Sequence, residues 1–190
     1  MSRIMIPEAE YHQRIKKAAA LAAKMGLDIF LANSNEADYA NARYFSGFWP
    51  VFERAGVAIS AVGDAALIVG PESRIFAADV SRLDNIFVSL DYRESADPSY
   101  PETKTSNFRD VFKALGVTGN KIRIGIASLL DTNAVMMEGL KRDYPEAEIV
   151  DAKELMVALR SIKSENELAC MREGFRITEL AMDEVIKNLR

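Results

Sequence analysis

Residues 121–160 alternate between short β-branched runs and amphipathic segments: strand "KIRIGIA", helix "DTNAVMMEGLKRDY" closed by Pro145, strand "AEIVDA", helix "KELMVALRSI". Strands interleaved with helices at this spacing form α/β units, whose sheet carries helices against it. The expected fold class is therefore α/β, a mixed β-sheet with helices on its faces. With 190 residues and 49% hydrophobic composition, the chain is long enough to bury most of its apolar surface around one core.

The rest of the chain fits that frame. Pro7 followed by "EAEYHQRIKKAAALAAKMG" reads as a first helix, with Glu8 and Glu10 at its positive end and Gly26 as its stop. Its apolar stripe is Tyr11, Ile15, Ala18, Ala22 and Met25. "LDIFLAN" is then a short buried strand. "AGVAISA", "AALIVG" and "RIFAADV", separated by turn residues, read as a meander of antiparallel strands, with "IFVSLDY" as another strand. The polar stretch "RESADPSYPETKTS" is expected to be an exposed loop. "SNFRDVFKALG" is helical, with Phe108, Val111, Phe112 and Leu115 on one face and Gly116 as its stop.

Several function classes lose support at this point. The formal net charge is -4 and no basic block runs along the chain, so nucleic acid is not an expected partner. The start has no apolar signal region and nowhere do about 18 apolar residues run together; the expected setting is cytoplasmic, with no membrane contact. Cys170 is the only cysteine and is expected to be buried and inert, and no intrachain disulfide can form. His12, the only histidine, lies beside the stripe of the first helix with no nucleophile elbow to serve. Acidic residues are spread over helix faces, and neither metal-binding nor glycine-rich phosphate motifs occur.

"NARYFSGFWPVFERAG", residues 41–56, gathers Arg43, Tyr44, Phe45, Phe48, Trp49 and Phe52 around Ser46, Gly47 and Pro50. Aromatics beside a guanidinium suit a carboxylate-bearing small molecule or a partner protein. The plainer reading is an aromatic core cluster with Arg43 in a local salt bridge.

Three pieces together resemble the N-terminal domain of the creatinase/prolidase/aminopeptidase P family, the Xaa-Pro peptidases whose C-terminal half is the pita-bread metallopeptidase fold. They are "GLDIFLA", the turn carrying Asn41, Tyr44, Ser46, Gly47 and Phe48, and the segment carrying Leu159, Arg160, Ile162, Lys163, Ser164 and Glu167. The resemblance implies residues 1–160 as the N-terminal domain, and 161–190 as a linker and first helix of a catalytic domain. The metal ligands, holding a pair of divalent ions such as Mn, Co or Zn, belong to that C-terminal domain, which these residues do not include. No cofactor and no catalytic residue is therefore expected in this chain. Dimer contacts and recognition of a peptide or small amide substrate are the implied roles. Arg43, Tyr44 and Trp49 become the substrate-facing candidates, with Phe48 and Phe52 structural. A stand-alone binding or dimerisation module and a domain of a creatinase-like C–N hydrolase are the alternatives, while a small α/β enzyme with its own site lacks a reactive residue.

Capping boxes, Asp151 with Glu154 and Ser164 with Glu167, are expected to start the last two helices. The final helix carries Leu168, Met171, Phe175, Met182, Val185 and Leu189 as an apolar stripe, interrupted by Thr178. Leu168, Phe175, Met182 and Leu189 fall seven apart, as in a coiled-coil seam. The resemblance instead assigns this helix to the catalytic domain, so the segment after Glu173 is expected to be mobile or packed against another chain.

Overall fold

A computed structural model describes residues 4–94 and 103–189. Among them are six strands: β1 Ile29–Ser34, β2 Ala55–Ser60, β3 Ala65–Val69, β4 Ile86–Val88, β5 Arg123–Ile126 and β6 Glu148–Asp151. They form one sheet in the order β4-β3-β2-β1-β5-β6. β1, β2 and β3 are antiparallel neighbours, while β4 on β3, β5 on β1 and β6 on β5 are parallel. The helices are α1 Glu8–Lys24, α2 Ala40–Ser46, α3 Arg74–Val80, α4 Phe108–Ala114, α5 Ala134–Asp143, α6 Lys153–Arg160 and α7 Glu165–Asn188. This is the expected mixed α/β sheet with helices on both faces.

β1 shows why "IFLANS" reads as an apolar run instead of alternating: all six of its residues are buried, because both faces of a central strand are covered. Phe30 and Ala32 enter one core with Ile15, Ala18 and Ala22 of α1, Phe45 of α2 and Leu155 and Leu159 of α6. Ile29 and Leu31 enter the other with Phe108 and Phe112 of α4 and Met136 and Leu140 of α5. Local signals place the second-face helices: Asn107 and Asp110 form a capping box on α4, and the Asn133 side chain accepts the Met136 N–H at the start of α5.

Four expectations need correction. "RIFAADV" is not a strand but α3. β3 and β4 run parallel, so their connection has to cross over the sheet, and a helix makes that crossing. Phe76 and Val80, four apart, pack toward the core with Ala77, while Ile75 points away at 76% exposure. "IFVSLDY" is a strand only to Val88; Leu90–Tyr92 is a 3-10 turn in which the Ser89 side chain accepts the Asp91 N–H. The turn drives Tyr92 fully into the core, where its hydroxyl donates to Asn33 Oδ1 at 2.8 Å. The Asp151–Glu154 box does not form: Asp151 belongs to β6, its Oδ1 accepts the Lys153 N–H at 2.9 Å, and Ala152 stands at the cap position. Met25 is exposed at the end of the α1 stripe, whose buried face includes Arg14. The loop expected at 93–106 lies mostly outside the described residues. No helix among the described residues is long and apolar enough to cross a membrane.

Candidate functional site

The aromatic segment begins as a helix. In α2, Asn41, Ala42, Phe45 and Ser46 face inward, and Ser34 Oγ of β1 accepts the Ala42 N–H at 2.9 Å. Ser46 Oγ donates to the Ala42 carbonyl at 2.7 Å and accepts the Phe48 N–H at 3.1 Å, closing the helix on itself. Gly47 ends α2 with φ 72°, a left-handed conformation that glycine adopts without steric cost. Phe45 meets Phe30 and Phe48 meets Phe76 edge-on or tilted, so these two rings are core. Phe52, expected to be structural, is 41% exposed.

The two motifs on either side of the chain then prove to be one object. Arg160 Nη1 donates to Asn41 Oδ1 at 3.0 Å, and the Tyr44 hydroxyl donates to the Leu159 carbonyl at 3.1 Å. Ser164 and Glu167 form the expected capping box on α7. Ser164 Oγ also donates to Glu10 Oε1 at 2.8 Å, and Asn166 Nδ2 to Glu10 Oε2 at 2.7 Å.

Arg14, buried on α1, completes the joint. Its Nη2 lies 2.6 Å from Glu10 Oε1 and 3.3 Å from Glu167 Oε1, and its Nη1 donates to the Tyr44 carbonyl at 2.9 Å. The guanidinium also stacks 4.2 Å from the Tyr44 ring centre. Burial alone would raise the Glu10 pKa, but hydrogen bonds from Asn166, Ser164 and Arg14 outweigh it and hold the carboxyl below its ordinary value. Burial raises the Tyr44 hydroxyl, with Arg14 opposing.

Beside this joint, α1, α2, α3, α6 and the start of α7 line an open cavity of about 880 Å³. Arg43, Tyr44 and Trp49 all line it. Arg43 stacks 4.9 Å from the Trp49 ring centre and 5.7 Å from that of Tyr39. Its guanidinium has no hydrogen-bond or ion-pair partner among the described residues, so it is not in the local salt bridge of the plainer reading. Phe76 stands edge-on to Trp49 at 5.5 Å. Tyr44 sits deeper, between Arg14 and Leu159.

The cavity also holds residues not expected at a site: Arg14 and Arg82, with Tyr11 of the first helix's stripe and Arg160 of the 159–167 motif. Arg14 had a signal, a charged residue inside the apolar stripe of α1; Arg82 had none. Cys170, expected to be buried, is half-buried on the cavity wall. His12 is exposed. Among the described residues no three His, Cys, Asp or Glu gather closely enough to hold a metal ion.

The sequence model described as the Creatinase/Prolidase N-terminal domain matches residues 14–162. Among curated proteins, none matches the chain in sequence. A solved prolidase from Pyrococcus horikoshii OT3 shares the fold at TM-score 0.64 and 23% identity, over 94% of this chain and 43% of that one. An X-Pro aminopeptidase from Thermotoga maritima MSB8 does so at TM-score 0.62 and 21% identity, over 90% and 44%. The N-terminal domain of cytoplasmic peptidase PepQ from Mycobacterium tuberculosis H37Rv matches at TM-score 0.55 and 22% identity, over 78% of this chain and 98% of that domain. The chain thus spans less than half the length of the prolidase and the aminopeptidase, and nearly the whole of the excised domain. With its sequence matched across most of its length and its sheet shared with such domains, the chain belongs to the creatinase/prolidase N-terminal domain family.

Proposed function

We propose that this chain is the non-catalytic N-terminal part of a metal-dependent hydrolase of the Xaa-Pro peptidase type. In this reading residues 1–160 form the domain, and 161–190 form the linker and the first helix of the catalytic domain. The observation that carries it is α7. Its first turn is tied to α1 through Glu10 and Arg14, yet none of its residues is buried. At about 100° per residue, Leu168, Met171, Phe175, Met182, Val185, Ile186 and Leu189 form a stripe about 100° wide along it. Ile177 and Leu180, 55% and 56% exposed, lie off that stripe, so the apolar surface of the helix extends beyond a two-stranded seam. Met171, Phe175, Met182, Val185 and Leu189 are between 46% and 71% exposed, a surface that calls for a neighbour.

The same reading gives the catalytic domain the pair of divalent ions, Mn, Co or Zn, and gives this domain homodimer contacts and part of the recognition of a peptide or small amide substrate in the cytoplasm. Arg43 would clamp a carboxylate, Trp49 would present its ring, and Tyr44 would fix both through the joint. A creatinase-like C–N hydrolase would use this domain in the same way. A second reading, a stand-alone module pairing through α7, draws on the seven-residue spacing of Leu168, Phe175, Met182 and Leu189.

The purified chain is expected to release no proline from Xaa-Pro dipeptides, with or without added Mn2+ or Co2+. Measurable cleavage by this chain alone would contradict the proposal.

A further inference from the structure

The cavity beside the joint is electrostatically unlike the rest of the protein. The chain carries a formal net charge of -4, yet five cationic residues and two acidic ones, Asp79 and Glu167, line this one space. Glu167 is already engaged by Arg14 and by the α7 cap. Of the cationic groups, Arg14 and Arg160 have partners, and Lys163 Nζ reaches the Ser161 carbonyl at 3.4 Å. The guanidinium groups of Arg43 and Arg82 have no hydrogen-bond or ion-pair partner among the described residues. Two guanidinium groups without a matching carboxylate line the same cavity, and a bound anion would offset their like charge.

The geometry brings these charges to one place. A Cβ on Gly47 would lie 3.3 Å from both Arg82 Cγ and the Tyr11 hydroxyl, so these two side chains converge over the glycine that ends α2. Arg14, Arg82 and Arg43 all act electrostatically on the Tyr11 hydroxyl, which itself has no hydrogen-bond partner among the described residues. The hydroxyl is a donor available to the same anion. Trp49, Val80 and Met156 line the same cavity and supply apolar surface. An inorganic anion would use only the cationic side, whereas a ligand with both a carboxylate and an apolar body would use both. The volume, about 880 Å³, falls in the range of small-molecule sites.

We infer that this cavity is a receptor for a small organic carboxylate, its charged end on Arg43, Arg82 and the Tyr11 hydroxyl and its apolar body against Trp49, Val80 and Met156. All six of these groups belong to this chain. It shares Arg43 and Trp49 with the proposed substrate-facing group, but it does not require a catalytic domain, so binding here and the proposed hydrolase role succeed or fail separately.

Trp49 is the only tryptophan, so its emission reports on the cavity wall directly. The chain is titrated at constant ionic strength with hexanoate, with hexan-1-ol and with inorganic phosphate. Hexanoate is expected to give a saturable change in emission, and the other two none at the same concentrations. Arg43→Ala and Arg82→Ala are each expected to weaken hexanoate by about tenfold or more, as loss of a charge-assisted hydrogen bond implies, while Lys24→Ala, at the far end of α1, leaves it unchanged. Circular dichroism checks that each variant is folded; should Arg82→Ala not fold, Arg82→Gln takes its place. An equal response to hexan-1-ol, an equal response to phosphate, no saturable response to hexanoate, or hexanoate binding insensitive to both arginine substitutions would each overturn the inference.

Discussion

Replacing Arg14 by alanine is expected to lower the unfolding free energy by about 3 kcal/mol, the scale for removing one partner of a buried ion pair. The side chain is 7% exposed and its partners Glu10 and Glu167 are 12% and 21% exposed, so solvent can only partly replace what is lost. Without the guanidinium, two carboxylates remain close together, and the Tyr44 carbonyl loses its donor. At this chain length the melting temperature should fall by about 6–12 °C. Arg14→Lys keeps the charge but not the fork, and should recover only part of the loss.

The same substitution has a pH signature. The folded Glu10 pKa lies below the ordinary 4.5, so its contribution is present above the unfolded pKa and is lost as pH falls through the folded one. The gap between wild type and Arg14→Ala should therefore narrow as pH falls below the ordinary 4.5 and through the lower folded pKa. Because the joint also anchors α7, protease cleavage in the 161–163 linker should speed up in the variant. A melting temperature within a degree or so of wild type would show that the joint is ornamental.

Glu53 should have the second largest effect, with opposite outcomes for two substitutions. It is 1% exposed and its Oε2 accepts the Ser73 N–H at 2.9 Å, holding the turn that starts α3, but its Oε1 has no partner among the described residues. The carboxyl lies against Gly70, where any Cβ would collide with it. Glu53→Ala leaves the Ser73 N–H buried without an acceptor and should cost about 2 kcal/mol. Since Phe76 of α3 packs on Phe48 and Trp49, the loss should also change Trp49 emission.

Glu53→Gln keeps the acceptor and removes the charge. Burial, aided by the Glu72 charge, raises the Glu53 pKa above 4.5 against the hydrogen bonds from Ser73 and the Glu72 backbone. A raised folded pKa means that the contribution of Glu53 is full below the unfolded pKa and declines as pH rises through the folded one. Wild type should thus lose stability relative to Glu53→Gln as pH rises above 4.5, and the variant should match or exceed wild type at neutral pH. A wild-type advantage that grows with pH would mean that the site favours the ionised carboxylate.

Much of the fold could be read where local pattern and tertiary context agree. The alternation in 121–160 appears as β5, α5, β6 and α6, and Ser164 with Glu167 caps α7 as its spacing requires. "RIFAADV" departs from the expected strand because a seven-residue segment with five apolar residues fits both periods, and only the parallel pairing of β4 with β3 decides for a helix. The Asp151–Glu154 box failed because the strand took Asp151 first. For the site, the aromatic segment and the 159–167 motif were each visible, but that Asn41 meets Arg160 and Tyr44 meets Leu159 depends on contacts more than a hundred residues apart in sequence. Arg82 reaches the cavity only through the turn after α3, and nothing in its local sequence marks it.

The account rests on α7 being a join: pinned at its start, uncovered beyond. Amide hydrogen exchange along 164–189 in the isolated, monomeric chain tests this most directly, because exchange follows the local cost of opening a helix. The account predicts slow exchange from Leu168 to about Cys170, over the turn held by Glu10 and Arg14, and rapid exchange after Glu173. Strong protection after Glu173 in a proven monomer would contradict it.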